Sequence, residues 1–191
     1  HLSGEKILVL DGHVADTFIV AARSRGTPGE TAGISLFLVP AGSAGLAIER
    51  TVMVDSRNAA IVRFDHARAE LLGELHQGWK SLERALDIGR ICLAAEMLGV
   101  AGEAFARTVA YLGQRRQFGR LIGEFQALQH RAATLYVDIE LARAALAKAL
   151  HALDSAPQQA AEAVAIAKAK CGSAATLAVQ VNGKLRATLE V

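Results

Sequence analysis

The chain has 191 residues, of which 52% are hydrophobic, 21% charged and only 3 proline; that composition excludes global disorder and suits one ordinary domain or two small ones. Lys and Arg number 21 against 19 Asp and Glu, a net charge of +2, and their scattered placement excludes the broad basic face of a nucleic-acid binder. Glu96, Glu103, Arg143 and Lys148 interrupt the most apolar stretches, so no run reaches the roughly 20 residues of a membrane helix. No signal peptide opens the chain, which is therefore expected to be soluble and cytoplasmic. His1 in first place and no evident stop after Val191 lead us to expect a piece of a longer protein.

The first third reads as β structure. Lys6 to Leu10, Thr17 to Ala22, Ile34 to Val39, Leu46 to Thr51 and Ala60 to Phe64 are short runs rich in Val, Ile, Leu and Phe, separated by Gly, Pro and Asp turn chemistry. Such spacing predicts an antiparallel barrel or sandwich, because the loops are too short for crossover helices. From about Gly78 the period becomes helical. Leu82, Leu86, Leu93, Met97, Ala101, Phe105, Val109 and Leu112 define one seam, closed by Gly113. A second runs through Phe125, Leu128, Ala132, Leu135, Ile139, Ala142, Leu146, Ala149 and Leu153. Pro157 opens a third at a first-turn position, continued by Ala160, Val164, Ala167, Cys171, Ala174, Ala178 and Val181 and ended by Asn182–Gly183. The expected class is α+β and multi-domain. An antiparallel β-barrel or sandwich domain over 1–74 precedes an incomplete up-down four-helix bundle over 75–191, whose narrow apolar stripes call for another helix or subunit.

The densest polar cluster joins the first two helices: Tyr111-Leu112-Gly113-Gln114-Arg115-Arg116-Gln117-Phe118-Gly119-Arg120, then Phe125-Gln126. Arginine forms charge-assisted, often bidentate bonds to phosphate oxygens and phenylalanine offers a stacking face, so these residues could clamp a diphosphate and its adenine. The competing reading is a solvated basic loop whose Phe118 plugs the end of the bundle. Cys92 and Cys171 read as small core residues, since no CxxC or His-Cys spacing surrounds them and neither a disulfide framework nor a metal site is expected. His130 reads as packed, and His13, His66, His76 and His151 are too dispersed to form a ligand set.

The segment from Tyr111 to Gln126, extended through Gln129-His130, resembles the acyl-CoA dehydrogenase signature Y-x-x-x-R-x-Q-F-G-x-x-I-x-x-F-Q-x-x-Q-H. Gly4-Glu5-Lys6 with Asp11-Gly12-His13-Val14-Ala15-Asp16 is similar to the opening of that family's middle β-domain. Leu72-Gly73-Glu74 with Gly78-Trp79 resembles the loop into its helical domain. The resemblance implies an FAD-dependent flavoenzyme, usually a tetramer, that oxidises an acyl-CoA thioester between its α and β carbons and passes electrons to a flavoprotein acceptor. It also implies that Arg115 contacts the FAD pyrophosphate, in the family from a neighbouring subunit. Gln117, Phe118 and Gln126 would join that cofactor site, and Asp87 and Arg90 would lie at the CoA chain and acyl group. Gln180-Val181-Asn182-Gly183 resembles a flavin contact, with Lys184 where a second glycine is expected; Gln180 and Gly183 are its candidate residues.

Two further features depart from the family pattern. Leu8 and Leu10 stand where an aromatic and a Thr or Ser usually flank the flavin ring, and neither side chain can hydrogen-bond. Removal of the α proton needs a carboxylate, which the family supplies either beyond Val191 or at the position of Gly89. Glu96 lies two turns on, about 10 Å along the axis, and reads as an interior or interface carboxylate. No catalytic glutamate can be assigned, and the 191-residue piece alone is expected to be inactive. The alternative is a non-catalytic subunit of a heteromeric acyl-CoA dehydrogenase that contributes to a partner's flavin site. A third reading is a helical interaction module without a cofactor.

Overall fold

A computed structural model describes residues 1–55 and 57–182, in two compact units: His1–Arg84 and the residues from Ala85 onward. Six strands build the first unit: β1 (Leu2–Leu10), β2 (Thr17–Arg23), β3 (Ile34–Pro40), β4 (Leu46–Val52), β5 (Asn58–Ala67) and β6 (Glu70–Leu72). Every pairing is antiparallel, in two three-stranded sheets ordered β1-β5-β4 and β2-β3-β6. Of the expected barrel or sandwich, a closed barrel is not present among the described residues. Closure needs an unbroken hydrogen-bonded circuit, and no ladder joins the two sheets. They share one core instead: Phe18, Val20 and Val39 from one, Leu2, Val62 and Phe64 from the other. In β1 the register slips between Lys6 and Val9, and Leu8 takes the left-handed conformation at φ 53°, a bulge carried by a residue that adopts this conformation only at a cost.

β6 was not expected, since three residues ahead of Gly73 give too short a run to show alternation. The linker after it is tied back to its own unit: the His76 backbone N–H donates to the fully buried Ser35 hydroxyl at 2.7 Å, and Ser24 Oγ lies 2.6 Å from Ser35 Oγ and 2.8 Å from His76 Nδ1. The Gly78 N–H donates to the Ile34 carbonyl at 2.8 Å, so the chain enters helix α1 (Trp79–Leu112) from a fixed point.

Helices α2 (Gln126–Ser155) and α3 (Pro157–Asn182) are separated only by Ala156, and proline opens α3, where its missing N–H costs nothing. The two run antiparallel, with Cys171 Sγ 3.8 Å from the Ala142 carbonyl and Leu135 across a shallow cleft from Leu177. Their seam is made of small residues: Ala142, Ala149, Ala163, Ala167 and Ala174 are all buried, which permits close approach of the axes. On α1 the buried column is Asp87, Ile91, Ala94, Leu98, Ala101 and Thr108. The expected seam is therefore corrected, since Leu86, Leu93 and Val109 are exposed. Apolar residues occur all round α1, so period alone did not select the face. Cys92 is also exposed, not a core residue, whereas Cys171 is fully buried. The described residues supply three bundle helices; a fourth is not among them.

Candidate functional site

The connection between α1 and α2 is a structured hairpin. Strands β7 (Arg116–Gln117) and β8 (Arg120–Leu121) pair antiparallel, and the Ile122 N–H donates to the Arg115 carbonyl at 2.8 Å at its base. Phe118 and Gly119 form the turn with φ of 54° and 81°, the two left-handed positions a type I′ turn demands. Glycine meets that demand freely; phenylalanine does not. Gly119→Ala is expected to weaken the hairpin by about 1 kcal/mol, read as faster tryptic cleavage after Arg116 and Arg120 with the rest of the digest unchanged. A short 3-10 turn, Ile122–Glu124, follows. A Cβ on Gly123 would sit 2.9 Å from the Leu112 carbonyl oxygen, so the absence of a side chain there lets the connection lie against the end of α1.

This turn holds Phe118 out in solvent at 92% exposure, which overturns the reading in which its ring plugs the bundle. The ring meets Phe125 edge-on, with centroids 6.2 Å apart, and the Arg120 guanidinium lies over Phe125 at 4.1 Å. Arg115 and Arg116 are exposed, and no ion pair engages Arg115, Arg116 or Arg120 among the described residues. The Gln117 amide donates to the Arg116 carbonyl at 2.7 Å, and Gln126, the first residue of α2, is exposed.

Phe125 caps α2 without a side-chain acceptor, and the first turn contains no acidic residue. The N–H groups and positive dipole end of a 30-residue helix thus open beside uncompensated guanidinium groups. Such an arrangement attracts an anion, and its donors suit a phosphate.

The other candidate residues lie elsewhere. On α1, Arg90 Nη1 donates to Asp87 Oδ1 at 2.7 Å, with the Asp87 side chain 8% exposed and that of Arg90 48%. This is a buried carboxylate with a half-exposed partner, which three-residue spacing alone did not reveal. Gly89 is exposed with open space where a Cβ would stand, and Glu96 is exposed rather than interior. His130 is exposed, not packed, at the rim of a cleft of about 230 Å³ that it shares with Arg131 and Asp138. Leu8 and Leu10, on β1 of the first unit, are 54% and 61% exposed. Gly183 and Lys184 lie outside the described residues, and of Gln180 only its place in α3 is described.

The architecture is an antiparallel two-sheet unit followed in sequence by long helices, with an arginine-rich hairpin between the first two. Residues 76–185, more than half of the chain, match the family described as "Acyl-CoA dehydrogenase, C-terminal domain", and the chain belongs to the acyl-CoA dehydrogenase family. It is 35% identical over 156 residues to a short-chain specific acyl-CoA dehydrogenase of Clostridium acetobutylicum, covering 78% of this chain and 41% of that one. The butyryl-CoA dehydrogenase structure from Megasphaera elsdenii superposes with a TM-score of 0.80 at 32% identity, over 95% of this chain and 50% of its own. The ChsE4-ChsE5 complex of Mycobacterium tuberculosis contains a chain that superposes at 0.72 and 28% identity, over 96% of this chain and 49% of that one. The chain spans about a third to a half of the length of the curated relatives it matches. These relatives are oxidoreductases, and no helix among the described residues is long and apolar enough to cross a membrane.

Proposed function

We propose that residues 1–74 and 75–191 are the middle β-domain and most of the C-terminal helical domain of an FAD-dependent acyl-CoA dehydrogenase. The intact enzyme removes hydrogen across the α,β bond of an acyl-CoA thioester, works as a tetramer and delivers its electrons to a flavoprotein. One observation carries the reading: the exposed Arg115 guanidinium, without an ion pair among the described residues, stands at the base of a hydrogen-bonded hairpin near the uncapped start of α2. A diphosphate bridge removed from water needs such compensating charge and donors.

Arg115 would hold the pyrophosphate, Gln117 and Gln126 would add amide donors, and the Phe118 ring would pack at the adenine end. Gln180 and Gly183 are assigned to the flavin by resemblance alone. FAD, when bound, supplies the hydride acceptor. Asp87 and Arg90 are the candidate contacts to the CoA chain and acyl group, with the ion pair fixing the guanidinium that faces solvent. The base stays unassigned because Gly89 offers no side chain.

Losing a charge-assisted contact of about 1.5–3 kcal/mol is expected to cut FAD retention by Arg115→Ala in the intact protein ten- to a hundredfold. Flavin absorbance per chain after desalting reads this loss. The melting temperature of the apo protein is expected to stay unchanged, since the side chain is exposed. Equal flavin content in variant and parent rejects the role.

A second reading rests on Leu8 and Leu10. Both project from β1 more than half exposed and give a flavin ring no hydrogen bond. In that case the chain is a non-catalytic subunit whose hairpin serves a partner's flavin, as a heteromeric assembly allows. One flavin per two chains in the purified complex supports this reading, and one per chain excludes it.

A further inference from the structure

The linker that leads from β6 into α1 carries a ring of hydrogen bonds. The His76 backbone N–H donates to Ser35 Oγ at 2.7 Å, Ser35 Oγ lies 2.6 Å from Ser24 Oγ, and Ser24 Oγ lies 2.8 Å from His76 Nδ1. The circuit starts and ends on one residue. It ties together the residue that follows β2, the second residue of β3 and the linker.

A count of protons fixes its direction. Ser35 is 0% exposed, so its hydroxyl proton has to be donated inside the protein, and its oxygen already accepts from His76. Ser24 Oγ is the acceptor within reach. Ser24 then has one proton to give and two acceptors, the Gly33 carbonyl at 3.0 Å and His76 Nδ1 at 2.8 Å. The Gly33 carbonyl already receives the Ser24 and Arg25 backbone N–H groups at 2.8 and 3.3 Å, which occupy its two lone pairs. The ring nitrogen is the acceptor left over.

We propose that Ser24, Ser35 and His76 form a latch: a one-way ring, from His76 N–H to Ser35 to Ser24 to His76 Nδ1, that keeps the imidazole proton on Nε2 and fastens the linker to the β2–β3 pair. Bonds arranged head to tail polarise and strengthen one another. The ring also accounts for the His76 φ of 68°, a left-handed conformation that a residue other than glycine keeps only where its surroundings hold it. Opening the ring removes the reason for that conformation, so the linker has a held state and a released one. Two residues on, the Gly78 N–H donates to the Ile34 carbonyl at 2.8 Å, and a Cβ on Gly78 would lie 2.9 Å from the Leu36 nitrogen. The held state therefore lays the backbone against β3 immediately ahead of Trp79, where α1 begins. The latch sets the point from which that helix departs, and its release frees the chain from Gly73 to Gly78.

The test reads amide exchange at His76 and Gly78 in the intact protein. Ser24→Ala is expected to accelerate both at least tenfold and to leave the β4 and β5 amides unchanged. His76→Gly is expected to do the same, even though glycine relieves the backbone. His76→Asn is expected to stay within threefold of the parent, because asparagine tolerates the left-handed region and carries an acceptor, Oδ1, at the same bond distance from Cβ as Nδ1. Parent-like exchange in Ser24→Ala overturns the proposal, and so does an asparagine variant that exchanges as fast as the glycine one. Where Ser24→Ala loosens β4 and β5 as well, neutron diffraction from the unsubstituted protein decides: deuterium on His76 Nε2 alone supports the ring, and deuterium on Nδ1 overturns it.

Discussion

Ile139→Ala is expected to destabilise the helical unit by about 3 kcal/mol and to lower its melting temperature by more than about 10 °C. Ile139 is 3% exposed at the middle of α2, in one cluster with Ile91, Leu98, Leu146, Val164 and Cys171. Truncation removes buried aliphatic carbons and leaves a void that the neighbouring alanines are too small to fill, so the transfer and cavity costs add. Leu93→Ala supplies the control. It deletes an equal number of side-chain carbons from a residue 50% exposed on α1, and the expected change is within about 0.5 kcal/mol. Thermal or urea unfolding of the two variants decides which column of α1 faces the bundle: equal losses would show that the Ile91, Ala94, Leu98 column is not the buried one.

That pair of residues also marks where the sequence was readable. On α2 and α3 the heavier apolar stripe is the buried one, although Val137, Leu141, Ile166 and Val179 lie exposed outside it, so period and burial coincide from Leu135 to Ala149 and from Ala160 to Ala178. Pro157 was legible as a helix start because its fixed φ and missing N–H suit that position. On α1 the stripe is not unique. Leu86 and Leu93 carry the larger hydrophobes, while the buried column passes through Ala94, Ala101 and even Asp87. A helix apolar on several sides leaves the choice to its tertiary neighbours.

Sheet closure was not legible for a related reason. Alternation assigns a face to each strand but is silent about which edges pair, and β1 and β2 are successive in sequence without being bonded in space. The hairpin between α1 and α2 was visible as a cluster of arginine, glycine and phenylalanine. Its turn was not visible, because Phe118 at positive φ contradicts the preference of every residue but glycine, asparagine and aspartate. The cationic residues were thus found from composition, and their presentation on a hairpin only from the backbone.

The widest contrast expected in this protein is between its two thiols. Cys92 is exposed on α1, and iodoacetamide should modify it at the rate of an ordinary free cysteine. Cys171 is fully buried on α3, with its sulfur 3.8 Å from the Ala142 carbonyl oxygen. Its labelling requires the bundle to open, so for an opening free energy of about 5 kcal/mol it should lag by a factor of a thousand or more. Burial also raises the Cys171 thiol above its ordinary pKa, against a smaller opposing pull from Lys168. The folded state therefore holds the thiol proton more tightly than the unfolded chain does. This contribution is fully present below the unfolded value of about 8.5 and is lost as pH rises through the higher folded value. Stability should accordingly fall on the alkaline side, and Cys171→Ala should flatten that fall while lowering the plateau through lost packing. Ile139→Ala links the two results: weakening the bundle by about 3 kcal/mol should accelerate Cys171 labelling roughly a hundredfold, since each 1.36 kcal/mol is a factor of ten, and leave Cys92 unchanged. A peptide map in which both cysteines label together in the folded protein would show that the α2–α3 seam does not hold Cys171 from solvent.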